Sequence, residues 1–156
     1  MTDTAALKDK FWTTLADSPF LFVQLDADPH SAVPMTAQLD VTANHAIWFF
    51  TSRTGPLVAG GAATATFAGK GHDLFARFTG TLSEETSRAR LDAEWAQPVK
   101  AWFPGGKEDP DLLMLRMDLG QAEIWNADLG FIDLAKMLMG FDIRDKAAED
   151  HVETTL

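Results

Sequence analysis

Ile47-Trp48-Phe49-Phe50-Thr51-Ser52-Arg53 is the stretch that decides how this chain folds. Three consecutive aromatics after an isoleucine read as a buried strand. The strand runs into two hydroxyls and an arginine, just before a break at Gly55-Pro56. Hydroxyls, backbone N–H groups and one cation at the exposed end of a strand suit a phosphate monoester. The same residues also make an ordinary strand-to-loop turn. Two other stretches single it out: Val33-Pro34-Met35 upstream and Ala101-Trp102-Phe103-Pro104-Gly105-Gly106-Lys107 downstream.

Upstream, Val33, Met35, Ala37, Leu39 and Val41 alternate with Pro34, Thr36, Gln38 and Asp40. This period of two predicts a strand over 33–41 with one buried face. Ala43-Asn44-His45 is a short turn, so 46–51 becomes its antiparallel hairpin partner. Before it, Asp3 or Thr4 caps a helix to about Leu15, with Leu7, Phe11 and Leu15 on one face. Residues 20–25 read as a buried strand closed by a turn at Asp26-Ala27-Asp28-Pro29. Downstream, the pattern predicts a short helix at 56–60, strands at 62–68 and 74–82, and a helix from Ser83 to about Trp95. A Gly/Pro-rich loop spans 98–110. Two strands, 112–119 and 122–126, turn at Gly120, and a last short helix covers 132–138. The charged tail, 144–156, is expected to fray. Short turns between strands favour antiparallel closure into a small barrel, which removes sheet edges.

The chain has 156 residues, enough for one domain with a sizeable core. The expected division is a barrel core at about 11–126 and a C-terminal helix and tail at 130–156. The net charge of −10 excludes a nucleic-acid or anionic-membrane footprint. It also leaves a bound phosphate only 13 Lys and Arg residues to find. Cysteine is absent, so disulfides, thiol catalysis and Cys-based metal sites are excluded. No apolar leader or membrane-length stretch is visible, and a soluble cytoplasmic protein is expected.

No nucleophile elbow, P-loop or GxGxxG fingerprint is present. His30, His45, His72 and His151 lack metal-site spacing and read as exposed loop or tail residues; no metal site is expected. Glu84-Glu85 and Glu108-Asp109 read as solvated charge. Trp12 and Trp95 read as core or interface residues, and Trp48 as a core residue. Trp102-Phe103, in a Gly/Pro loop, are costly to leave in water and predict a pocket, a subunit interface or both.

The order VPMTAQ, IWFFTS, AWFPGGKEDPDL, AEIW resembles the general-stress-protein branch of the pyridoxamine 5′-phosphate oxidase-like flavin-binding split barrels. The likeness covers 11–125. It implies a mainly β fold, a six-stranded antiparallel split barrel with flanking helices, working as a homodimer. Flavin mononucleotide (FMN) would lie in a groove between subunits. By this resemblance, Val33, Pro34, Met35 and Thr36 run along the isoalloxazine edge. Phe50 and Thr51 precede the phosphate-binding turn, and Ser52 and Arg53 enter it. Trp102 and Phe103 approach the ring from the branch-specific loop, and Trp125 lies beside the flavin.

The chain departs from the family where cations are usual. Valine stands at 33 instead of arginine, Gly55-Pro56-Leu57 replaces a Ser-Arg-Lys type run, and Gln38 is near an expected lysine. Each charge-assisted hydrogen bond is worth roughly 1.5–3 kcal/mol. Two losses weaken phosphate binding by roughly 10²- to 10⁴-fold, with Arg53 available to offset one. Nothing after Trp125 matches the Arg-Leu-His-Asp-Arg run of true oxidases, so the likeness does not extend to oxidation of pyridoxamine phosphate. The reading is a flavin-binding protein, with oxidoreductase chemistry at the flavin. The alternatives are a non-catalytic flavin carrier or sensor, and a split-barrel dimer without flavin. No side chain is assigned a catalytic role.

Overall fold

The computed structural model describes residues 3–127, 131–140, 144 and 150–156. Helix α1 (Thr4–Asp17) opens on Asp3, whose carboxylate accepts from the Ala6 N–H. Its Leu7, Phe11 and Leu15 are buried. Phe11 is fully enclosed and meets the rings of Phe67 and Phe78 edge-on at 6.2 and 5.5 Å.

Strands β1 (Phe20–Leu25), β2 (Asp28–Thr36), β3 (Ala46–Ser52), β4 (Gly61–Ala68) and β5 (Leu74–Glu84) follow. Then come α2 (Arg88–Glu94), α3 (Gln97–Trp102), β6 (Leu112–Asn126), α4 (Phe131–Leu138) and β7 (His151–Thr155). All pairings are antiparallel, in the order β2-β1-β4-β5-β6-β3, with β7 beside β6. Inward side chains alternate along β1, β4 and β5: Leu21, Val23 and Leu25; Ala63, Ala65 and Phe67; Leu74, Ala76 and Phe78. With Ile47, Phe49, Leu113, Leu115 and Met117 they form one core.

The terminal strands β2 and β3 meet at one bridge. The Gln38 N–H donates to the Trp48 carbonyl at 2.8 Å, and the Trp48 N–H returns a bond to Gln38 at 3.1 Å. The barrel is therefore closed at one point and split beyond it.

Several elements differ from the sequence expectation. β2 starts at Asp28, so the turn shrinks to Asp26-Ala27. The buried Ser31 hydroxyl accepts from the Leu25 N–H and donates to the Asp28 carbonyl, patching an irregularity in β1. Edge position lets β2 carry Pro29 and Pro34 without losing ladder bonds. The strands expected on either side of Gly120 are one strand, and the tail adds β7, so there are seven strands where the resemblance implied six. β6 pairs with β3 through its first half and β7 through its second, and only a register shift at Phe78/Gly80 bends the ladder. A Cβ at Gly80 would lie 2.4 Å from the Asp118 carbonyl oxygen, so this close approach requires glycine.

Residues 56–60 make hydrogen-bonded turns rather than a helix. Gly60 has φ +65°, the left-handed region where glycine is least strained. β5 continues to Glu84, and Ser87 caps the shorter α2 by accepting from the Arg90 N–H. Residues 98–102 of the expected loop are helical, part of α3, with Pro98 in its first turn. The tail forms β7 at 151–155; 145–149 lie outside the described residues.

Candidate functional site

An open cleft of about 380 Å³ lies where the barrel is split. One wall is Pro34, Met35, Thr36 and Gln38, from β2 and the bridge. The other is Phe50, Thr51 and Ser52, from the end of β3. Pro98, Val99 and Trp102 of α3 line it, with Phe103 and Asp111.

Local packing fixes α3 in place. Phe103, Val99 and Leu112 form a small core against Phe50, Leu91 and Trp95. Phe50 meets Trp95 edge-on at 5.7 Å. Phe103 is thereby an anchor, 7% exposed, while its neighbour Trp102 is 82% exposed at the cleft. An indole left that open is a surface ready to stack on a flat ligand.

α2 is held differently. The Arg90 guanidinium lies over the buried Trp48 ring at 4.0 Å and donates to Asp40 at 2.5 Å and Glu94 at 3.2 Å. Trp48 Nε1 donates to Glu85 at 2.9 Å. The Thr42 hydroxyl, then Arg90, lowers the Asp40 pKa to about 2. Burial pushes the Glu94 carboxyl up, against the pull of Arg90.

Of the residues singled out from sequence, Pro34, Met35, Thr36, Phe50, Thr51, Ser52, Trp102 and Phe103 all line the cleft. Val33 does not; it packs against the main core opposite Val23. Arg53 faces a separate polar crevice beside α2, where it donates to Glu84 at 2.7 Å and draws that carboxyl below its ordinary range. Trp125, on β6, stacks on His151 of β7 at 5.1 Å and is not part of the cleft wall. Leu57, where the family often has lysine, is fully buried in the core.

Sequence reasoning left out Gln38, Pro98, Val99 and Asp111 as site residues. Asp111 directly precedes Leu112, which pairs with Ser52. Only the register of β3 on β6 reveals that proximity.

Among the described residues, the cleft wall has no Lys, Arg or His, and Asp111 is its one carboxylate. Elsewhere, Glu123, His151 and Glu153 bring three potential ligand atoms within 4.8 Å on β6 and β7. Arg77 already donates to Glu123 at 2.7 Å, so that group is partly charge-compensated from within the chain. No helix among the described residues is long and apolar enough to cross a membrane.

A split antiparallel barrel with a half-apolar cleft at its opening defines a class of small-ligand-binding barrels. The chain matches the family model described as pyridoxamine 5′-phosphate oxidase like over residues 7–146, and it belongs to that family. It is similar to a crystal structure described as the general stress FMN/FAD binding protein of Xanthomonas citri. The two are 40% identical, with a TM-score of 0.76, over 82% of this chain and 94% of that one. A general stress family protein of Xanthomonas campestris pv. campestris is 39% identical, with a TM-score of 0.71, over 81% and 92% of the two chains. A protein of Jannaschia sp. CCS1 described as general stress protein 26 is 27% identical, with a TM-score of 0.78, over 98% and 99%. No curated protein matches the chain.

Proposed function

We propose that this protein binds the ring system of a flavin in the split of its barrel. The observation that carries the reading is the cleft itself. It pairs an 82%-exposed Trp102 with Pro34, Met35 and Phe50, at a volume suited to a small ligand. The Xanthomonas citri protein described as binding FMN/FAD supports the same reading.

The residues present fit the two ends of FMN unequally. Flat apolar surfaces and the polar groups of Thr36, Gln38 and Thr51 suit the ring, whose edge takes hydrogen bonds. Among the described residues no cation lines the cleft to receive the phosphate end, which would meet Asp111. A bound flavin would supply hydride or electron transfer; the chain's own residues bind, orient and shield the ring.

The protein is proposed to act as a homodimer. Phe20 and Phe22 on β1, Phe75 on β5 and Trp125 on β6 project outward at 64%, 53%, 38% and 36% exposure. Phe75 is directly opposite Trp125, which itself faces His151 across the next pairing. Burying this face against a second copy would remove apolar surface from water. Sedimentation at micromolar concentration should give a dimer, and a monomer there would refute the assembly.

Flavin titration followed by tryptophan quenching tests the site. Saturable quenching is expected, and Trp102→Ala should weaken binding by about tenfold or more, from the 1–3 kcal/mol typical of an aromatic stacking partner. Its folding free energy should change by less than about 0.5 kcal/mol, because the indole is exposed. Wild-type protein that quenches with no flavin would sink the proposal.

A further inference from the structure

We infer that the cleft selects a flavin without its 5′-phosphate, and that Asp111 is the residue that sets this preference. The inference rests on the flavin-ring reading above and concerns the other end of the ligand.

The turn after β3 is where a phosphate would need donors, and apart from the Thr51 hydroxyl on the cleft side its donors are engaged within the chain. The Ser52 hydroxyl donates to Asp111 Oδ1 at 2.7 Å. A carboxylate only accepts, so the single Ser52 proton points at Asp111. The 2.8 Å contact between Ser52 and Thr54 must then be donated by the Thr54 hydroxyl. The Thr54 N–H also donates to Ser52 Oγ at 3.1 Å. The Gly55 N–H donates to the Ser52 carbonyl at 3.0 Å, and the Arg53 N–H to the Asp111 carbonyl at 2.9 Å. The Arg53 side chain is held by Glu84 on the far side of the turn.

Asp111 thus supplies the anion that this turn would otherwise take from a ligand. A phosphate arriving there would have to displace a carboxylate and, among the described residues, would find no cation in the wall to receive it. Val33 packs on the core and Leu57 is fully buried, so neither side chain is available to a ligand. A riboflavin-like ligand, with hydroxyls in place of the phosphate, meets neither repulsion nor a missing partner.

The test is titration of the full-length protein with riboflavin and with FMN, read by tryptophan quenching. At about pH 7.5, riboflavin should bind about tenfold more tightly, the scale of one like charge about 4 Å away in water-like surroundings. The gap should narrow as pH falls through about 6, where the phosphate loses one of its two charges. It should also narrow with added salt, the reverse of a cationic phosphate site.

Asp111→Asn keeps an oxygen for Ser52 and removes the charge. It should tighten FMN about tenfold and leave riboflavin within about twofold. Asp9→Asn on α1 makes the same change in net charge and should alter neither. FMN binding as tightly as riboflavin, or an Asp111→Asn variant that binds FMN no better, would overturn the selectivity and leave the flavin reading intact. Binding of neither flavin would overturn both.

Discussion

The two sides of the turn after β3 are built from adjacent residues and have opposite chemistry. On one side Phe50, Thr51 and Ser52 line a cleft with aromatic walls and, among the described residues, no cation. On the other, Arg53, Arg88 and Lys107 line a polar crevice together with Glu84, Glu85, Glu108 and Asp109. There Arg53 donates to Glu84 at 2.7 Å, Arg88 to Glu108, and Lys107 to Asp92 at 2.9 Å. In a chain of net charge −10 the cations near this turn already have carboxylate partners, so a cation close to a site in sequence is not necessarily available to it.

The largest effect is expected at Leu57. Leu57→Lys restores the family's residue type but buries an uncompensated charge in the core. The cost should be about 3–5 kcal/mol. That corresponds to a Tm lowered by roughly 6–20 °C for a chain of this size. Denaturant unfolding and a flavin titration on the same sample check it. A stable variant with much tighter FMN binding would mean that position 57 can reach the ligand, and the contrast between the two sides would fail.

A smaller effect is expected at Arg53. Its pair with Glu84 is nearly half exposed on both sides, so screening leaves Arg53→Ala with little effect on stability. Flavin affinity should change by less than about twofold, since the side chain faces the crevice. A tenfold loss of FMN affinity alone would show that Arg53 swings into the cleft.

The smallest effect concerns Asp40, beside α2. Its pKa is lowered to about 2 from an ordinary 3.8, first by the Thr42 hydroxyl and then by Arg90. A lowered folded-state pKa means that the stability it contributes is present above pH 3.8 and is lost as pH falls toward about 2. Carboxyl-carbon NMR should show this titration, and Thr42→Val should move it upward. An unchanged Asp40 titration in that variant would remove Thr42 as the main cause.

Much of this was legible without coordinates. The spacing of Leu7, Phe11 and Leu15 gave α1, and alternation along 74–82 gave the inward Leu74, Ala76 and Phe78. Pro34-Met35, Phe50-Thr51-Ser52 and Trp102-Phe103, singled out along the chain, line one cleft, while Val33 turns to the core. The misreadings share a cause. Gly120 signals a turn locally, yet the strand continues through it with only a bulge, because it has partners before and after that point. The 151–155 segment, His-Val-Glu-Thr-Thr, carries β-branched residues but is too short to signal a strand within a charged tail, and pairing with 121–125 orders it. Helix α3 is hidden by Pro98, which is tolerated in a first turn.

The sequence by itself determined the periodicity, and hence a core-filled antiparallel barrel. It also determined the scarcity of cations and the presence of aromatic loop residues that need cover. These follow from side-chain chemistry and spacing along the chain. Only the tertiary structure decided which side of the β3 turn each residue serves. It put Arg53 against Glu84, Val33 and Leu57 against the core, and Asp111 against Ser52. Those outcomes depend on strand register and on contacts across 31 and 59 residues of chain, which no local pattern encodes.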